Sequence, residues 1–266
     1  MSTVQALPEN PLRVAMRAGE PVFGMSVRLS RSPDIARVAR ASGHHFLFID
    51  AQHAVFNPET IATLCHAAAT VGVVALVRVR SVDDPDVALL LDNGAGGIVF
   101  PDVNTPAEAQ RAVDRCLFPP KGRRSVAGGY PHFDFRGVPV PQASAALNAA
   151  TLVCCMVETA QGLDNLEAIA AVPGVDVVHI GANDLLTSLG KPGQFDDPVV
   201  VEAMDRAIAA TGRHGGFAGC GGNRDVARQA ASVKRGVRFV TTQADTAFLA
   251  AAAGQWTAGL RKALEA

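Results

Sequence analysis

The sequence lacks the features that would place the protein in a membrane or on nucleic acid. No apolar run approaches the roughly 18 residues that a membrane-spanning helix needs. The first residues, MSTVQALPENPLR, contain no apolar export signal. A formal net charge of −1 and the absence of a basic run argue against nucleic acid or an anionic membrane as partner. We therefore expect a cytoplasmic protein with neither kind of partner.

The cysteines and histidines also lack the spacing of a zinc or redox site. The five cysteines form no CxxC pair, and no HxxxH motif is present. Cys154 and Cys155 are adjacent in an apolar run, where alternate residues of a strand face opposite ways. We interpret the cysteines as small buried side chains of a protein in a reducing compartment.

What the sequence does contain is a regular alternation of strand-like and helix-like segments. Its 266 residues, 48% of them hydrophobic, suit a single α/β barrel. Eight short apolar runs rich in β-branched residues alternate with segments of helical periodicity, without a linker or a change of composition. We predict one (β/α)₈ TIM-barrel domain over residues 1–266, preceded by a short helix. An open doubly wound sheet is the alternative, but no GxGxxG follows the first strand.

The stretch from Leu152 to Asp184 carries the first candidate site. Its apolar runs Leu152–Val157 and Val175–Ile180 are predicted strands, followed by Glu158 and, after a short turn, by Asp184. The ends of neighbouring parallel strands lie side by side, so the two carboxylates can meet. Their hard oxygen atoms suit Mg²⁺ or Mn²⁺. Alternatively, Glu158 is only an acid at the start of a helix.

Other predicted strands also end in polar residues. Asp50, Gln52 and His53 follow the second strand, and Arg78 ends the third. His53 could be a general base or a structural loop histidine. Arg78 could bind a carboxylate or an oxyanion, or it could pair with an acid at the end of a neighbouring strand. Asp102, after the fourth strand, is a further candidate by position.

Three features are more ambiguous. The long irregular segment Phe118–Val140 has the length of a functional loop, and its Arg123 and Arg124 are either lid cations or solvated charges. His179 lies within a strand and is expected to be a core or interface residue. The glycines of Gly219–Gly222 could cradle a phosphate, although a tight turn is the simpler interpretation.

Six segments in register resemble the HpcH/HpaI aldolase family, the metal-dependent (class II) pyruvate aldolases. They are IDAQH (Ile49–His53), LVRVR (Leu76–Arg80), LLDNGAGGIVFPDVNTPAEA (Leu90–Ala109), FPPKGRR (Phe118–Arg124), MVETAQGLDN (Met156–Asn165) and GVDVVHIGANDL (Gly174–Leu185). The resemblance implies a hexameric barrel, a dimer of trimers, in which the last helix is swapped between neighbours. It also implies reversible cleavage of 4-hydroxy-2-oxo acids to an aldehyde and pyruvate, or an analogue such as hydroxypyruvate.

The resemblance further implies roles for individual residues. Glu158 and Asp184 would bind a divalent metal ion, Mg²⁺, Mn²⁺ or Co²⁺, and Arg78 would stabilise the enolate oxygen. His53 would act as the base. Asp92 of an adjacent subunit would pair with it, which displaces Asp102 as a candidate.

Backbone groups of Gly181 and Ala182 would hold the pyruvate carboxylate. The chain departs from the family pattern at Gln52, where many members have Glu, and at Met156, where several have Gln, so the substrate preference stays open. No Schiff-base lysine is expected, because Lys121, Lys191, Lys234 and Lys262 fall in predicted loops or helices.

Three other functions compete with the aldolase. One is a CoA-ester lyase of the citrate-lyase-like type, for which only Arg123 and Arg124 offer a basic groove. Another is a non-catalytic barrel that binds 2-oxo acids, with Gln52 as the mark of lost activity. The third, a phosphate-binding isomerase, depends on Gly219–Gly222 alone.

Overall fold

Eight parallel strands close into a barrel in which each strand pairs with the next along the chain and the last pairs with the first. The structure is a computed structural model that describes Leu7 and residues 9–265. The strands are β1 (Val22–Val27), β2 (Phe46–Asp50), β3 (Val74–Arg78), β4 (Gly97–Phe100), β5 (Leu152–Val157), β6 (Val177–Gly181), β7 (Phe217–Gly221) and β8 (Phe239–Ala244). The prediction of a (β/α)₈ barrel is confirmed.

Helices cover the outside of the barrel and connect its strands. They are α1 (Pro11–Arg17), α2 (Ile35–Ala41), α3 (Pro58–Thr70), α4 (Val87–Asp92), α5 (Pro106–Cys116), α6 (Val140–Ala150), α7 (Ala160–Asp164), α8 (Leu166–Ala170), α9 (Ala182–Ser188), α10 (Pro198–His214), α11 (Val226–Arg235) and α12 (Asp245–Leu264). Several begin at a side-chain cap that the sequence shows directly. At α5, for example, Thr105 and Glu108 form a capping box.

The structure differs from the sequence-based prediction in three connections. The turn expected at 181–183 is the start of α9, so Asp184 lies in the first turn of a helix. The segment between β5 and β6, for which the alternating pattern predicts one helix, forms two short helices, α7 and α8, which meet at Asn165. The long segment after Phe118 contains a 3₁₀ turn at Pro131–Phe133 and leads into α6, which was not predicted.

Strand residues alternate between the barrel interior and the layer beneath the helices. The interior cluster includes Phe46, Phe48, Leu76, Met156 and Phe239. The rings of Phe46 and Phe239 stack with centroids 4.5 Å apart. On the neighbouring strand a Cβ at residue 24 would collide with the Phe46 ring, so glycine is required there. This alternation decides which strand-end residues point into the mouth of the barrel.

Two further features of the fold are the burial of the cysteines and the length and polarity of the helices. All five cysteines are buried and free, as expected for small apolar side chains. In the part of the chain that the structure describes, no helix combines the length and the apolar character needed to cross a bilayer. Residues 1–6, Pro8 and Ala266 lie outside the described residues. They include much of the N-terminal segment MSTVQALPENPLR, in which the sequence predicts no export signal.

The stacked pair inside the barrel gives a first testable prediction. Phe46→Ala should lower the free energy of unfolding by about 3–5 kcal/mol, because it leaves a cavity that the closed barrel cannot collapse to fill. The measurement is urea unfolding followed by circular dichroism. Val55→Ala is the control, since Val55 is 91% exposed and should change stability by no more than about 0.5 kcal/mol. Equal stability of the two variants would contradict the assigned packing.

Candidate active site

A cavity of about 260 Å³ opens at the carboxyl ends of the strands. The alternation of strand residues turns the last inward-facing side chains towards this opening, which is where barrel enzymes place their active sites. Predicted site residues that line the cavity are His53, Arg78, Met156, Glu158, Gly181 and Asp184. They come from four different strands or the loops that follow them, so the structure brings together residues more than 130 positions apart in the sequence.

On one side of the cavity two arginines, Arg78 and Arg28, surround the buried carboxylate of Asp50. Asp50 and Arg78 are register partners on β2 and β3. Arg78 donates from Nε to Asp50 Oδ1 at 3.0 Å and from Nη2 to Oδ2 at 2.7 Å, and Arg28 adds a bond from Nε to Oδ2 at 2.7 Å. Burial alone would raise the pKa of Asp50, but the hydrogen bonds and charges of the two arginines outweigh it and bring that pKa to about 2. Asp50 is therefore ionised and holds both guanidinium groups.

This pairing leaves the Nη1 group of Arg78 free to donate to a ligand. Its Nε and Nη2 are used by Asp50, whereas Nη1 has no acceptor among the described residues, and the side chain lines the cavity. The two interpretations of Arg78, an ion pair at the strand end and a group that binds an anion, are therefore both compatible with its geometry.

Asp50 also fixes the loop that carries His53. The backbone N–H groups of Gln52 and His53 donate to Asp50 Oδ1 at 3.2 and 3.1 Å. The His53 side chain is exposed at the cavity mouth. The side-chain Oε1 of Gln52, by contrast, is buried without a hydrogen-bond partner and the residue does not line the cavity.

The opposite wall of the cavity is acidic. Glu158 is 2% exposed, and its Oε1 accepts a hydrogen bond of 2.9 Å from the backbone N–H of Asp102. Burial raises the pKa of Glu158 to about 7, and the nearby charges of Asp102 and Asp184 act in the same direction. Burial and the charge of Asp184 likewise raise the pKa of Asp102. Asp102, whose backbone has a left-handed φ of 52°, thus lies within electrostatic range of Glu158 and Asp184.

These carboxylates fit a hard divalent cation by their chemistry. In the described part of the chain no lysine, arginine or histidine lies within ion-pair distance of Glu158 or Asp184, although the charge of Arg78 acts to lower the pKa of Glu158. Within residues 9–265, no three His, Cys, Asp or Glu side chains are grouped closely enough to hold a metal by themselves. A cation here would thus need further oxygen donors from water or substrate, as two carboxylate ligands imply.

The start of α9 lies directly against Glu158. The β5–β6 register aligns Val157 with Ile180, so Gly181 is opposite Glu158. A Cβ at Gly181 would collide with the Glu158 carboxylate, which explains why this strand ends in glycine. Ala182 is fully buried behind the cavity wall.

Two predicted site residues lie elsewhere in this chain. Asp92 Oδ1 accepts a 2.6 Å hydrogen bond from Arg124 Nη2, and neither residue lines the cavity. Arg124 is buried, with its guanidinium carbon 4.5 Å from the centre of the Phe118 ring. It is neither a lid cation nor a solvated charge. Arg123 is exposed and lies 3.4 Å from Asp114.

His179 contributes to the floor of the cavity, although sequence reasoning treated it as a core or interface residue. Its Nε2 is 3.1 Å from Thr241 Oγ1, and its ring meets that of Phe239 edge-on. Burial lowers the pKa of His179 to about 3, so the ring is neutral. Met156 is also part of this floor. The floor is therefore uncharged, in contrast to both walls.

Two arginines of the cavity were missed by the sequence analysis. Arg28 follows β1 directly, and Arg224 lies in the loop after β7. The strand-end rule that found Asp50 and Arg78 would also have found Arg28, had it been applied to the first strand. Arg224 lies three residues beyond the end of β7, as His53 does beyond β2, so the same rule extended to that loop would have found it as well.

Comparisons with known proteins agree on one family. The family model described as HpcH/HpaI aldolase/citrate lyase matches residues 25–252. The chain is 37% identical to the 4-hydroxy-4-methyl-2-oxoglutarate aldolase of Chaetomium globosum, with 89% of each chain covered. It is 32% identical to a hydroxypyruvate/pyruvate aldolase of Sagittula stellata, over 93% of this chain and 96% of that one.

A solved structure of similar shape is the HpcH/HpaI aldolase from Desulfitobacterium hafniense DCB-2. The two chains superpose with a TM-score of 0.87 at 29% identity, and the match covers 97% of this chain and 98% of the other. The likeness thus extends over nearly the whole barrel and its helices.

The buried carboxylate at Asp50 gives the second prediction. Asp50→Asn should lower the free energy of unfolding at pH 7 by about 3–5 kcal/mol, because it leaves two guanidinium groups without their buried partner. The folded-state pKa of about 2 lies below the ordinary 3.8, so the ion pairs stabilise the wild type fully above about pH 5. The advantage of the wild type should shrink by about 2 kcal/mol as the pH falls from 5 to 2.

The measurement is urea unfolding of both proteins at several pH values. Asp164→Asn is the matched control, because Asp164 is exposed and its substitution should change stability by less than about 0.5 kcal/mol. A constant difference between wild type and Asp50→Asn from pH 5 to pH 2 would show that Asp50 is not the ionised partner.

Proposed function

The chain belongs to the HpcH/HpaI aldolase/citrate lyase family, and we propose that its cavity cleaves and forms 4-hydroxy-2-oxo acids, with pyruvate or hydroxypyruvate as one product. Relatives named as aldolases are carbon–carbon lyases, and this chain is an enzyme of that class. Its substrates are small molecules, an oxo acid and a carbonyl compound.

The observation that carries the proposal is the separation of charge across one small cavity. Among the described residues Glu158 and Asp184 form an acidic wall without ion-pair partners, and Arg78 offers a free Nη1 group from the other side. His53 is exposed and lines the same cavity. A 2-oxo acid presents a carboxylate and a keto oxygen, both of which suit a site with a cation on one side and a guanidinium on the other.

We propose that Glu158 and Asp184 are the protein ligands of a divalent metal ion, Mg²⁺, Mn²⁺ or Co²⁺. When bound, such an ion supplies Lewis-acid stabilisation of negative charge on the keto oxygen of the substrate. Backbone groups of Gly181 and Ala182, beside Glu158, are proposed to orient the pyruvate carboxylate.

In the direction of cleavage, His53 would accept the proton of the C4 hydroxyl group. The C3–C4 bond then breaks, its electron pair becomes the double bond of the pyruvate enolate, and the C4 oxygen forms a carbonyl group. Nη1 of Arg78 would donate a hydrogen bond to the enolate oxygen, where the negative charge develops. Protonation at C3 completes pyruvate, and loss of the proton from His53, to C3 directly or to water, balances the reaction.

We also propose the oligomer that the family resemblance implies, a homohexamer with Asp92 of one subunit beside His53 of another. The long helix α12 supports subunit contact, because among its described residues only Asp245 is buried in the single chain. Phe248, Leu249, Trp256, Leu260 and Leu264 are exposed apolar residues of this helix. An apolar helix surface of this extent is typical of a protein interface.

The CoA-ester lyase is less well supported by the geometry. A CoA site needs a basic groove, for which the sequence offers only Arg123 and Arg124. Arg124 is buried against Phe118 and paired with Asp92, so it cannot contribute to a groove in this conformation.

Metal dependence gives the third prediction. EDTA should abolish aldol cleavage, and Mg²⁺, Mn²⁺ or Co²⁺ should restore it. Glu158→Gln should weaken Mn²⁺-dependent pyruvate binding, measured by calorimetry, by more than about tenfold, because it removes one of two carboxylate ligands. Glu202→Gln, at an exposed position, is the matched control. Full activity in the presence of chelator, or unchanged binding by Glu158→Gln, would refute the metal assignment.

The role of His53 gives the fourth prediction. His53→Gln should lower kcat for cleavage by about 10²–10⁴-fold, because a positioned acid–base group contributes that much, while pyruvate and metal still bind. Steady-state kinetics and calorimetry measure the two effects separately. His214→Gln is the control, since His214 ends α10 on the opposite rim of the barrel. Wild-type turnover by His53→Gln would exclude His53 as the base.

A further inference from the structure

We propose that Arg28 and Arg224 bind a carboxylate on the acceptor half of the substrate, so that the carbonyl compound joined to pyruvate is itself an oxo acid. The inference rests on the proposed aldolase function and names the substrate class for the half of the cavity that Glu158, Asp184 and Arg78 do not determine.

Arg28 is rigidly placed at the cavity. It continues the inward-facing series of β1, in which Gly24 and Ser26 precede it at alternate positions. Its backbone N–H donates to Asp245 Oδ1 at 3.0 Å, and its Nε donates to Asp50. Its two terminal nitrogens have no acceptor in the described part of the chain. They are therefore free to donate to a ligand.

Arg224 approaches the same cavity from the loop after β7. Its Nη1 donates to Gln243 Oε1 at 2.5 Å, which orients the guanidinium group. No carboxylate of the described residues forms an ion pair with Arg224, unlike Arg228 one helical turn further on, which pairs with Asp196. Burial, together with the like charges of Arg28 and Arg78, lowers the pKa of Arg224. The guanidinium therefore lies in a region of excess positive charge.

The positive charges that face the cavity outnumber the negative charges paired with them, so a second anion can bind. Three guanidinium groups, those of Arg28, Arg78 and Arg224, face the cavity, and Asp50 is the one carboxylate paired with any of them in the described structure. The acids Glu158 and Asp184 are assigned to the metal. Pyruvate brings a single carboxylate, so a positive charge at Arg28 and Arg224 remains without a counterion until an anionic acceptor binds.

The shape of this side also suits a small, branched acid. Ser26, Gly221 and Gly222 line it, and the whole cavity measures about 260 Å³. A planar carboxylate can accept parallel hydrogen bonds from guanidinium groups. A phosphate group would use the same donors, but it is larger, and an aldehyde that carries one extends further than an acid whose carboxylate is attached to the reacting carbon. A carboxylate is therefore the group that fits this side of the cavity.

The experiment compares cleavage of three substrates by the metal-loaded enzyme. These are 4-hydroxy-2-oxoglutarate, 4-hydroxy-2-oxohexanoate, in which an ethyl group replaces the distal carboxylate, and a 4-hydroxy-2-oxo acid with a distal phosphate. The ratio of kcat/KM for the glutarate over the hexanoate should be about 10–100 in the wild type, as expected for charged hydrogen bonds. Faster cleavage of the phosphate compound, or a ratio near one, would overturn the proposal.

Arg224→Gln should reduce this ratio by about tenfold or more, and Arg224→Lys, which keeps the charge, should reduce it less. Arg228→Gln is the matched control, because it removes the same charge from a paired arginine of the same segment, and its ratio should equal that of the wild type. If Arg224→Gln slows both substrates equally, the residue has only a structural role and the proposal fails. Arg28→Gln is the second variant, with the same expected loss of preference.

Failure of this inference is distinguishable from failure of the aldolase assignment. Exchange of the pyruvate methyl protons in D₂O, followed by proton NMR with Mn²⁺ replaced by diamagnetic Mg²⁺, tests enolate formation without any acceptor. A wild type that neither exchanges these protons nor cleaves any substrate refutes the proposed function and the inference with it. A wild type that exchanges them but shows no preference for the carboxylate refutes the inference alone.

Discussion

The candidate site depends on the ionised carboxylate of Asp50. It is fully buried, yet it binds Arg78 and Arg28 and accepts the N–H groups of the loop that carries His53. Because β2 and β3 pair Asp50 with Arg78 in register, the barrel itself sets this contact. A buried carboxylate needs such complete compensation to remain charged. One side chain thereby couples the stability of the barrel to the position of a proposed base and a proposed anion-binding group.

The cavity is organised around the opposition between this cationic side and the acidic wall of Glu158 and Asp184. The two sides come from opposite parts of the barrel, β1–β3 on one and β4–β6 on the other, and the neutral floor with His179 separates them. Burial raises the pKa of Glu158 and of Asp102, and the charge of Asp184 acts in the same direction on both. Such an arrangement is costly for the protein alone and becomes favourable when a divalent cation and an anionic substrate are bound together.

The sequence predicted the barrel well because its strands are buried on both faces and appear as short apolar runs. The bounds of β1, β2 and β5 agree with the runs VFGMSV, FLFID and LVCCMV. The helix α9 was missed since ANDLLTS follows a strand directly, without a conventional cap. The pairing of Arg124 with Asp92 joins residues 32 positions apart through a loop of irregular backbone, and no local pattern encodes it. Residues at strand ends or just beyond them could thus be placed from the sequence, whereas contacts between distant loop residues could not.

Strand-end residues and loop residues would recognise different halves of the proposed substrate. Glu158, Arg78 and Gly181 sit at strand ends whose direction is fixed by the pleat and by the register of the sheet, so the pyruvate half is tied to the fold. Arg224 lies on a loop, and Arg28 at a strand end reaches beyond Asp50 with two free nitrogens. Loop residues can change without disturbing the barrel. The proposed enolate chemistry and the choice of acceptor therefore have separable structural origins, and a change of acceptor would require substitutions near Arg28 and Arg224 but none at Asp50.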